Sequence, residues 1–359
     1  MDKLQYPVLR DNPSVAHMDA SATFPIHEAV IQAVQHAMTA YVGAAAKASY
    51  DWSFDATSDV ANARAAIAAL IGATADQIFF TTSASDSARL TYDVIGKRYK
   101  DFIYSPEDHT STIRLFADTR HVTPLTYGYD GTYDLSSIAA KKGQVPMMFV
   151  SLVHHLYGSD NDLTSLRHKW PNAFIVVDAS QAIGRMAVDV TSLECDALYF
   201  SSQKIGGIAG AGVLYVRDIR SEYRNLIEPN TVPIPAIVSM GAAAKIIMKQ
   251  GIHAIDLQLM RQSSLLVQQM NDRVARVTFS KGMAHSDYRC RNVGIVSFKI
   301  EGYGSQDIAM ILNDHHINVR AGDHCVDGDV VDRDVVRVSM HAYTTDDDIN
   351  RLVDVLAEL

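Results

Sequence analysis

The chain has 359 residues, a formal net charge of −9 with its 14 histidines counted as neutral, and 48% hydrophobic residues. This length predicts two lobes, because one small hydrophobic core does not serve a chain of this size. The negative charge and the lack of a basic cluster argue against nucleic acid as a partner, and no apolar run approaches the roughly 20 residues that a membrane-spanning helix needs.

The N-terminal sequence and the cysteines indicate a cellular compartment. The first residues, MDKLQYPVLRDNPS, include acids and a proline but no apolar stretch, so they are not typical of a signal peptide. The three cysteines, Cys195, Cys290 and Cys325, are few and odd in number, and a disulfide framework is not expected. We therefore expect a cytoplasmic protein with reduced thiols.

Short apolar runs alternate with segments of helical period through the first two thirds of the chain, which is typical of strand-helix-strand units. Helices are predicted for 25–38, opened by Pro25, and for 58–72, with Ser58 as N-cap and Gly72 as the stop, followed by 85–99 and 109–120. Strands are predicted for 77–82, 101–105, 145–153, 173–179, 197–202 and 211–216. Because these runs are apolar almost throughout, they favour a mostly parallel sheet covered on both faces.

The pattern changes in the last third of the chain. A long helical period runs from 239 to about 275, with Gly251 as an interruption, and strands follow at 294–300, 317–322 and 335–340. The last helix opens with a Thr345 cap and three acids, which the helix dipole favours. We predict a large domain over 17–255 and a small C-terminal α+β domain over 256–359, with residues 1–16 packing near the small one.

Two polar residues stand at the ends of strongly apolar strands. Asp178 closes AFIVVDA, and Lys204 follows ALYFSS, next to Ser201, Ser202 and Gln203. The carboxyl ends of strands in an open α/β sheet form its ligand-binding edge, so both side chains are expected in one pocket. An isolated Asp at such a position is otherwise most often the N-cap of the following helix.

A desolvated lysine has a lowered pKa and becomes a nucleophile toward carbonyl groups. Pyridoxal 5'-phosphate (PLP) is the cofactor that uses a lysine amine together with an acid on its pyridine nitrogen. Its phosphate needs small donors and backbone N–H groups, which the turn TTSASDSARL supplies with Ser83, Ala84 and Ser85 ahead of a helix. The order of phosphate turn, aspartate strand and lysine loop predicts a PLP site.

With these motifs the chain resembles the PLP-dependent aminotransferase class V family, and within it the cysteine desulfurases and selenocysteine lyases. The resemblance extends from MDASATFP near the start to VRVSMHAYTTDDDINRL at the end. It implies fold type I of the PLP-dependent transferases, an α/β fold with a large PLP-binding domain and a small C-terminal domain. It also implies a homodimer with shared active sites, and it allows a sulfur-acceptor protein as a partner.

The resemblance implies roles for individual residues. Lys204 matches the Schiff-base lysine and Asp178 the partner of the pyridine nitrogen. Gln181 matches the contact to the ring hydroxyl, and His109 the histidine that stacks on the cofactor ring. The other cofactor-binding positions are Ser83, Ala84, Ser85, Ser201, Gln203 and His155, with Thr231 as a phosphate contact contributed by a neighbouring subunit.

Three residues are implied to act on the substrate. Arg337, in VVRVSM, matches the arginine that clamps the substrate α-carboxylate, a task that suits bidentate guanidinium geometry. In VRAGDHCV, Arg320 matches a second active-site arginine and Cys325 matches the nucleophilic cysteine. The charged and polar neighbours of Cys325 favour a thiolate, but a single free cysteine is by default an inert core residue, and both interpretations stay open.

Some positions differ from the family pattern. The lysine loop reads SSQK where Ser-Gly-His-Lys is usual, His155 stands where asparagine is typical, and 217–240 lacks the Gly-rich segment of the desulfurases. These differences concern the substrate more than the cofactor.

The first hypothesis is therefore a PLP-dependent lyase that cleaves the carbon-sulfur or carbon-selenium bond of cysteine-like amino acids through a Lys204 aldimine and a Cys325 persulfide. The alternative is a class V aminotransferase, decarboxylase or other Cα lyase that acts on a different amino acid or amine. A third hypothesis is a scaffold without catalysis that works through a partner surface. No HExxH or CxxC motif is present, so a metal site is not expected.

Overall fold

The computed structural model describes residues 2–41, 45, 49–119, 121–139, 143–218, 226–227, 231–282, 291–326 and 331–359. Cys290 lies outside these ranges. Within them the strands are β1 (Ala16–His17), β2 (Ile78–Thr81), β3 (Phe102–Tyr104), β4 (Val122–Pro124), β5 (Met147–Ser151), β6 (Phe174–Asp178), β7 (Ala197–Ser201), β8 (Gly212–Val216), β9 (Val277–Phe279), β10 (Ile295–Ile300), β11 (Ile317–Asn318), β12 (Arg320–Ala321) and β13 (Val336–Ser339).

The helices in the same ranges are α1 (Pro7–Arg10), α2 (Glu28–Thr39), α3 (Asp51–Leu70), α4 (Ala84–Leu90), α5 (Thr110–Ile113), α6 (Leu163–Lys169), α7 (Ile234–Gln250), α8 (Ile252–Arg273), α9 (Ser305–Asp314) and α10 (Asp346–Leu356). A π-helical turn, Thr91–Ile95, continues α4, and a short 3₁₀ turn, Ser202–Lys204, follows β7. None of these helices combines the length and the apolar character that crossing a bilayer requires.

The large sheet contains β2, β8, β7, β6, β5, β3 and β4 in that order. β8 runs antiparallel to both of its neighbours, and the other pairs are parallel. Alternate residues of each strand enter different apolar clusters; Phe149, for example, packs in one cluster and Met148 and Val150 in another. The sheet is therefore buried on both faces, which confirms the mostly parallel α/β sheet predicted from the continuous apolar runs.

A second, smaller sheet lies in the C-terminal third. It is antiparallel, with the order β12, β13, β10 and β9, and it has its own apolar cluster with α8, α9 and α10. The N-terminal residues Ala16 and Met18 join this cluster, because β1 pairs in parallel with β11. Lys3 Nζ also forms an ion pair, 2.8 Å long, with Asp348 in the first turn of α10.

Gly251 separates the two long helices as predicted, with φ of +82°, and the Thr345 hydroxyl caps α10 by accepting the Asp348 N–H at 3.1 Å. Three predicted helix starts were wrong. The helix predicted from Pro25 is α2, which begins at Glu28, where His27 Nδ1 accepts the Ala29 N–H at 3.0 Å. The long helical period predicted from 239 begins at Ile234. Ser58 lies inside α3, which begins two turns earlier.

The early start of α3 has a physical reason. Its first turns expose their aromatic side chains, Trp52 at 54% and Phe54 at 60%, so they lack the apolar period on which the prediction depended. The segment 109–120 was also predicted too long, since only Thr110–Ile113 is α-helical and a 3₁₀ turn, Arg114–Phe116, follows.

Candidate active site

A pocket of about 670 Å³, open in part to solvent, lies at the carboxyl ends of the parallel strands. Ten predicted cofactor-binding residues line it: Ser83, Ala84, Ser85, His109, His155, Asp178, Gln181, Ser201, Gln203 and Lys204. Ser111, Ser151, Val153 and Ser180 line it too, and were not predicted. Ser151 and Ser180 could have been found from the sequence, because each is a small polar residue at or just beyond the end of an apolar strand.

Strand register explains why these residues meet. Ser151 on β5 is paired with Asp178 on β6, and Asp178 is paired with Tyr199 on β7. At the other side of the pocket, Gly212 on β8 is paired with both Thr81 and Ser201, the last residues of β2 and β7. The turn that begins at Ser83 and the turn that begins at Ser202 therefore follow β2 and β7, the two strands on either side of Gly212.

Gly212 has no side chain for a steric reason. A Cβ atom on it would lie 2.4 Å from the Ser83 carbonyl carbon, which belongs to backbone and cannot turn aside. The glycine thus allows the Ser83 turn to approach β8. Ser83 is fixed at the start of α4, where its hydroxyl accepts the Asp86 N–H at 3.1 Å.

Lys204 is the last residue of the 3₁₀ turn that follows β7. Its Nζ donates hydrogen bonds to the carbonyls of Ser21 and Ala22, the latter at 3.1 Å. Burial lowers the pKa of Lys204 to about 8, and the positive charge of Arg337 acts in the same direction. About a tenth of this amine is therefore neutral, and so nucleophilic, at pH 7, far more than for an ordinary lysine.

Asp178 and Gln181 follow on the same loop. The Asp178 carboxylate accepts the Ser180 N–H at 2.9 Å. Burial lowers the pKa of both His109 and Lys204, and the charge of Asp178 offsets part of that lowering. Gln181 Nε2 donates to the Ser21 carbonyl at 3.1 Å, so Gln181 and Lys204 share an acceptor. Asp178 thus supplies the negative charge of the pocket.

His109 and His155 form one wall. His109 Nδ1 accepts the Ser111 N–H at 3.2 Å, so the neutral ring carries its proton on Nε2. The two rings lie 5.5 Å apart at an angle of 75°. Burial lowers the pKa of His109, and lowers that of His155 far below the ordinary value. Both imidazoles are therefore neutral at pH 7.

A buried acid lies behind this wall. Asp108, directly before His109, accepts hydrogen bonds from Tyr127 and Tyr133, each at 2.8 Å. Burial raises the pKa of Asp108 to about 7. Tyr133 Oη also accepts the Ser151 N–H at 2.8 Å, so Asp108 is connected through Tyr133 to a residue that lines the pocket. The sequence prediction did not include this network.

Cys325, Arg337, Arg320 and Thr231 do not line the pocket. Cys325 lies beside it, with φ of +60° and a partly exposed side chain, and its carbonyl accepts the Thr110 N–H at 2.9 Å. The carbonyl of the preceding residue, His324, accepts from His155 Nε2 at 3.1 Å. The segment that carries the thiol is therefore bonded to the wall of the pocket that His109 and His155 form, through Thr110 and through His155 itself.

Arg337 is only 3% exposed and lies on β13, directly opposite Arg320 on β12. Its Nη2 pairs with Asp19 at 3.0 Å and its Nη1 donates to the His155 carbonyl at 3.3 Å. Thr231 is exposed, at the start of the segment before α7. Cys195 is fully buried, and burial raises the pKa of its thiol to about 12, as suits an inert core residue.

The pocket suits PLP in its chemistry. It offers a buried lysine amine of lowered pKa, a carboxylate, a neutral imidazole and several hydroxyl groups on two adjacent turns. Among the described residues, no group of three or more His, Cys, Asp or Glu side chains is arranged to hold a metal ion.

Comparison with known proteins agrees with this geometry. The chain is similar to the cysteine desulfurase IscS of Photorhabdus laumondii, with 27% identity over 95% of this chain and 91% of that protein. It is 24% identical to the human cysteine desulfurase, over 96% of this chain and 76% of the human protein. Its fold matches an apo structure of cysteine desulfurase from Thermococcus onnurineus NA1, with a TM-score of 0.88 over 99% and 96% of the two chains and 24% identity.

The family model for aminotransferase class V matches residues 16–229 and 221–352, which together span nearly the whole chain. This range contains the lysine turn, the aspartate strand and the arginine strand described above. The chain therefore belongs to the aminotransferase class V family of PLP-dependent enzymes.

Proposed function

We propose that the protein is a PLP-dependent cysteine desulfurase, which takes sulfur from cysteine or selenium from selenocysteine and releases alanine. Its relatives with this name support the proposal, but one observation carries it: the Cys325 carbonyl accepts the N–H of Thr110, the residue after His109. A partly exposed thiol thereby lies beside the pocket that contains the Lys204 amine. We infer that the thiol reaches the sulfur of a bound substrate from this position.

The pocket residues hold the cofactor in this proposal. Lys204 Nζ would bind the cofactor aldehyde, Asp178 would hold the pyridine nitrogen and Gln181 the ring hydroxyl. His109 and His155 would hold the ring, and the phosphate would be held by Ser83, Ala84, Ser85, Ser201 and Gln203, with Thr231 of a second subunit. When bound, PLP supplies an electron sink for a carbanion at the substrate Cα.

The chain's own residues do the remaining work. Arg337, with Arg320 opposite, binds the substrate carboxylate, and Lys204 Nζ moves a proton at Cα. Cys325 as thiolate attacks the substrate sulfur, so an S–S bond forms while the carbon-sulfur bond breaks. The electron pair of the broken bond stays with carbon, and a proton returned there completes alanine.

The test is the variant Cys325→Ala, with Cys195→Ala as the matched control. We expect Cys325→Ala to form sulfide and alanine from L-cysteine at least a hundredfold more slowly, since it lacks the nucleophile, while it keeps the yellow colour of bound PLP. Cys195→Ala should retain both the wild-type rate of sulfide and alanine formation and the yellow colour. Undiminished turnover in Cys325→Ala would remove this thiol from the mechanism.

We also propose a cytoplasmic homodimer that passes its sulfur to an acceptor protein. The exposed aromatic residues Tyr50, Trp52 and Phe54 at the start of α3 support a second copy on this face, because large exposed apolar groups in proximity are typical of interfaces. The dimer also explains why Thr231 lies outside the pocket of its own chain. Light scattering in solution measures the mass, and a monomer at micromolar concentration would contradict the dimer.

A further inference from the structure

Arg337 has a carboxylate partner within its own chain. Asp19 Oδ1 accepts from Arg337 Nη2 at 3.0 Å, and the Arg337 side chain is 4% exposed. Its Nη1 donates to the His155 carbonyl, and its buried Nε has no acceptor among the described residues. A substrate carboxylate that binds this guanidinium bidentately therefore competes with Asp19 for Nη2.

The backbone that carries Asp19 is fixed to the strand that carries Arg337. The Ser339 N–H donates to the Met18 carbonyl at 2.7 Å, and the Ala20 N–H donates to the Ser339 carbonyl at 3.1 Å. The Ser21 N–H also donates to the Ser339 hydroxyl, at 2.9 Å. These bonds hold the segment in place, so the exchange needs only a rotation of the short Asp19 side chain.

The displaced carboxylate has two ways to be stabilised. The Asp19 side chain is 21% exposed, so water reaches it. Its negative charge is also attracted to Lys204. The Lys204 Nζ lies close by, because it donates to the carbonyls of Ser21 and Ala22, two and three residues after Asp19. Asp19 can therefore leave Arg337 without becoming an isolated buried charge.

We propose that Asp19 is an internal substitute for the substrate α-carboxylate, which occupies Arg337 in the empty enzyme and is displaced by an α-amino acid. The residue thereby sets the affinity for carboxylate-bearing substrates and leaves the affinity for simple amines unchanged. This inference rests on the proposed function only in placing the substrate carboxylate at Arg337. The nature of the substrate side chain does not enter it.

The experiment titrates the PLP-loaded protein with L-alanine and with ethylamine, which is alanine without its carboxylate, and follows the visible spectrum. Asp19→Asn keeps the size of the side chain and one acceptor oxygen, and removes its charge. We expect the Kd of L-alanine to fall roughly fivefold or more in Asp19→Asn, because a competing charge-assisted bond is gone, and the Kd of ethylamine to stay within twofold.

A double-mutant cycle identifies the partner. In an Arg337→Gln background, Asp19→Asn should no longer change the Kd of L-alanine, because the guanidinium for which both carboxylates compete is absent. Asp19→Ser serves as a second variant if Asp19→Asn folds poorly, as judged by circular dichroism. The same gain is expected from it.

Three results would overturn the inference. The first is weaker binding of L-alanine by Asp19→Asn, which would mean that Asp19 supports Arg337 instead of competing with the substrate. The second is an equal change in the Kd of L-alanine and of ethylamine. The third is an unchanged Kd for both ligands. If the alanine result is as expected while L-cysteine yields no sulfide, the proposed desulfurase function fails and the role of Asp19 stands. A wild-type spectrum that no L-amino acid changes would overturn both.

Discussion

Lys204 shows how one side chain acquires its reactivity from its surroundings. Burial is the main cause of its lowered pKa, and the nearby Arg337 adds to it, while Asp178 acts in the opposite direction. With a pKa of about 8, half of the amines are neutral at pH 8, compared with roughly 0.3% for an ordinary lysine. The pocket thus prepares the amine before any ligand binds.

Competitive labelling of the cofactor-free protein with trace acetic anhydride measures this directly. Because the neutral amine is the reactive form, the labelling of Lys204 should rise with pH and reach half its maximum near pH 8. The exposed Lys245 serves as an internal reference for the reagent. A midpoint near 10.5 would contradict the lowered pKa.

At the scale of elements, the segment that bears Cys325 is attached to its neighbours mainly through backbone. The Thr110 N–H and His155 Nε2 hold two successive carbonyls, those of Cys325 and His324, and the Asp323 carboxylate accepts the Cys325 N–H at 2.8 Å. The positive φ of Cys325 turns the chain sharply between these contacts. The position of the thiol therefore depends on the start of α5.

Thr110→Pro removes one of these contacts and little else. Thr110 is the first residue of α5, where proline is well tolerated, and the ψ of His109, 139°, already suits a following proline. Loss of one backbone hydrogen bond, about 1 kcal/mol, should slow sulfide formation roughly two- to tenfold while the PLP absorbance is unchanged.

Thr110→Ala keeps the N–H and is the matched control for this substitution. It should form sulfide at the wild-type rate. Equal rates for the proline and alanine variants would show that the bond to the Cys325 carbonyl does not position the thiol.

At the scale of the whole molecule, the two sheets carry separate apolar clusters, and Ile252 packs against both of them. Arg337 of the small sheet also donates to the His155 carbonyl of the large domain. We propose a large domain over 17–255 and a small one over 256–359, with residues 1–16 near the latter. Hydrogen exchange tests this division, since a domain opens as a unit with its own free energy. Opening of all core amides at one common free energy would contradict it.

Buried histidines in both regions make the folded state sensitive to acid. Burial lowers the pKa of His154 and of His324 to about 4, and lowers those of His155 and His341 further below the ordinary 6.5. Between pH 6.5 and 4 these histidines bind protons in the unfolded chain but stay unprotonated in the folded chain. The free energy of unfolding therefore falls as the pH falls through this window.

We expect a loss of roughly 2 kcal/mol for each of these histidines between pH 7 and 5. The raised pKa of Asp108, about 7, acts in the opposite direction, because the folded protein takes up a proton there as the pH falls below 7. One carboxyl opposes four imidazoles, so the net effect is destabilising. Urea unfolding at pH 7, 6 and 5 measures it.

Asp108→Asn is the informative variant for this pH dependence. It removes the opposing carboxyl, so the stability of this variant should decline more steeply with acid than that of the wild type. A free energy of unfolding that stays level from pH 7 to 5 would contradict the assignment of neutral, buried histidines.

Much of the fold and the pocket could be predicted from the sequence. Six of the seven strands of the large sheet were predicted because each is an apolar run, and Lys204 and Asp178 were found because they interrupt such runs. Neither feature depends on distant parts of the chain. The edge strand β4 was not predicted, because its residues are only partly buried or exposed and give no apolar run. The roles assigned to Lys204 and Asp178 remain predictions, since location alone does not test them.

The remainder depends on contacts between distant residues. Asp19 meets Arg337 across 318 positions of sequence, and Asp108 meets its two tyrosines across loops with no regular period. The start of α3 was missed because its exposed aromatic residues have no helical apolar pattern. No local signal in the sequence specifies these arrangements.

The attachment of Ser21 to Ser339 across 318 residues also governs when the site can form during synthesis. At ribosomal rates of 5–20 residues per second, the first of these residues is made roughly 15 to 60 s before the second. The segment 19–22 therefore reaches its place only when the last strand has emerged. This segment carries the carbonyls that accept from Lys204 and the Asp19 carboxylate that pairs with Arg337. A nascent chain holds the cofactor lysine long before it holds a finished pocket, so assembly of the active site is a post-translational event.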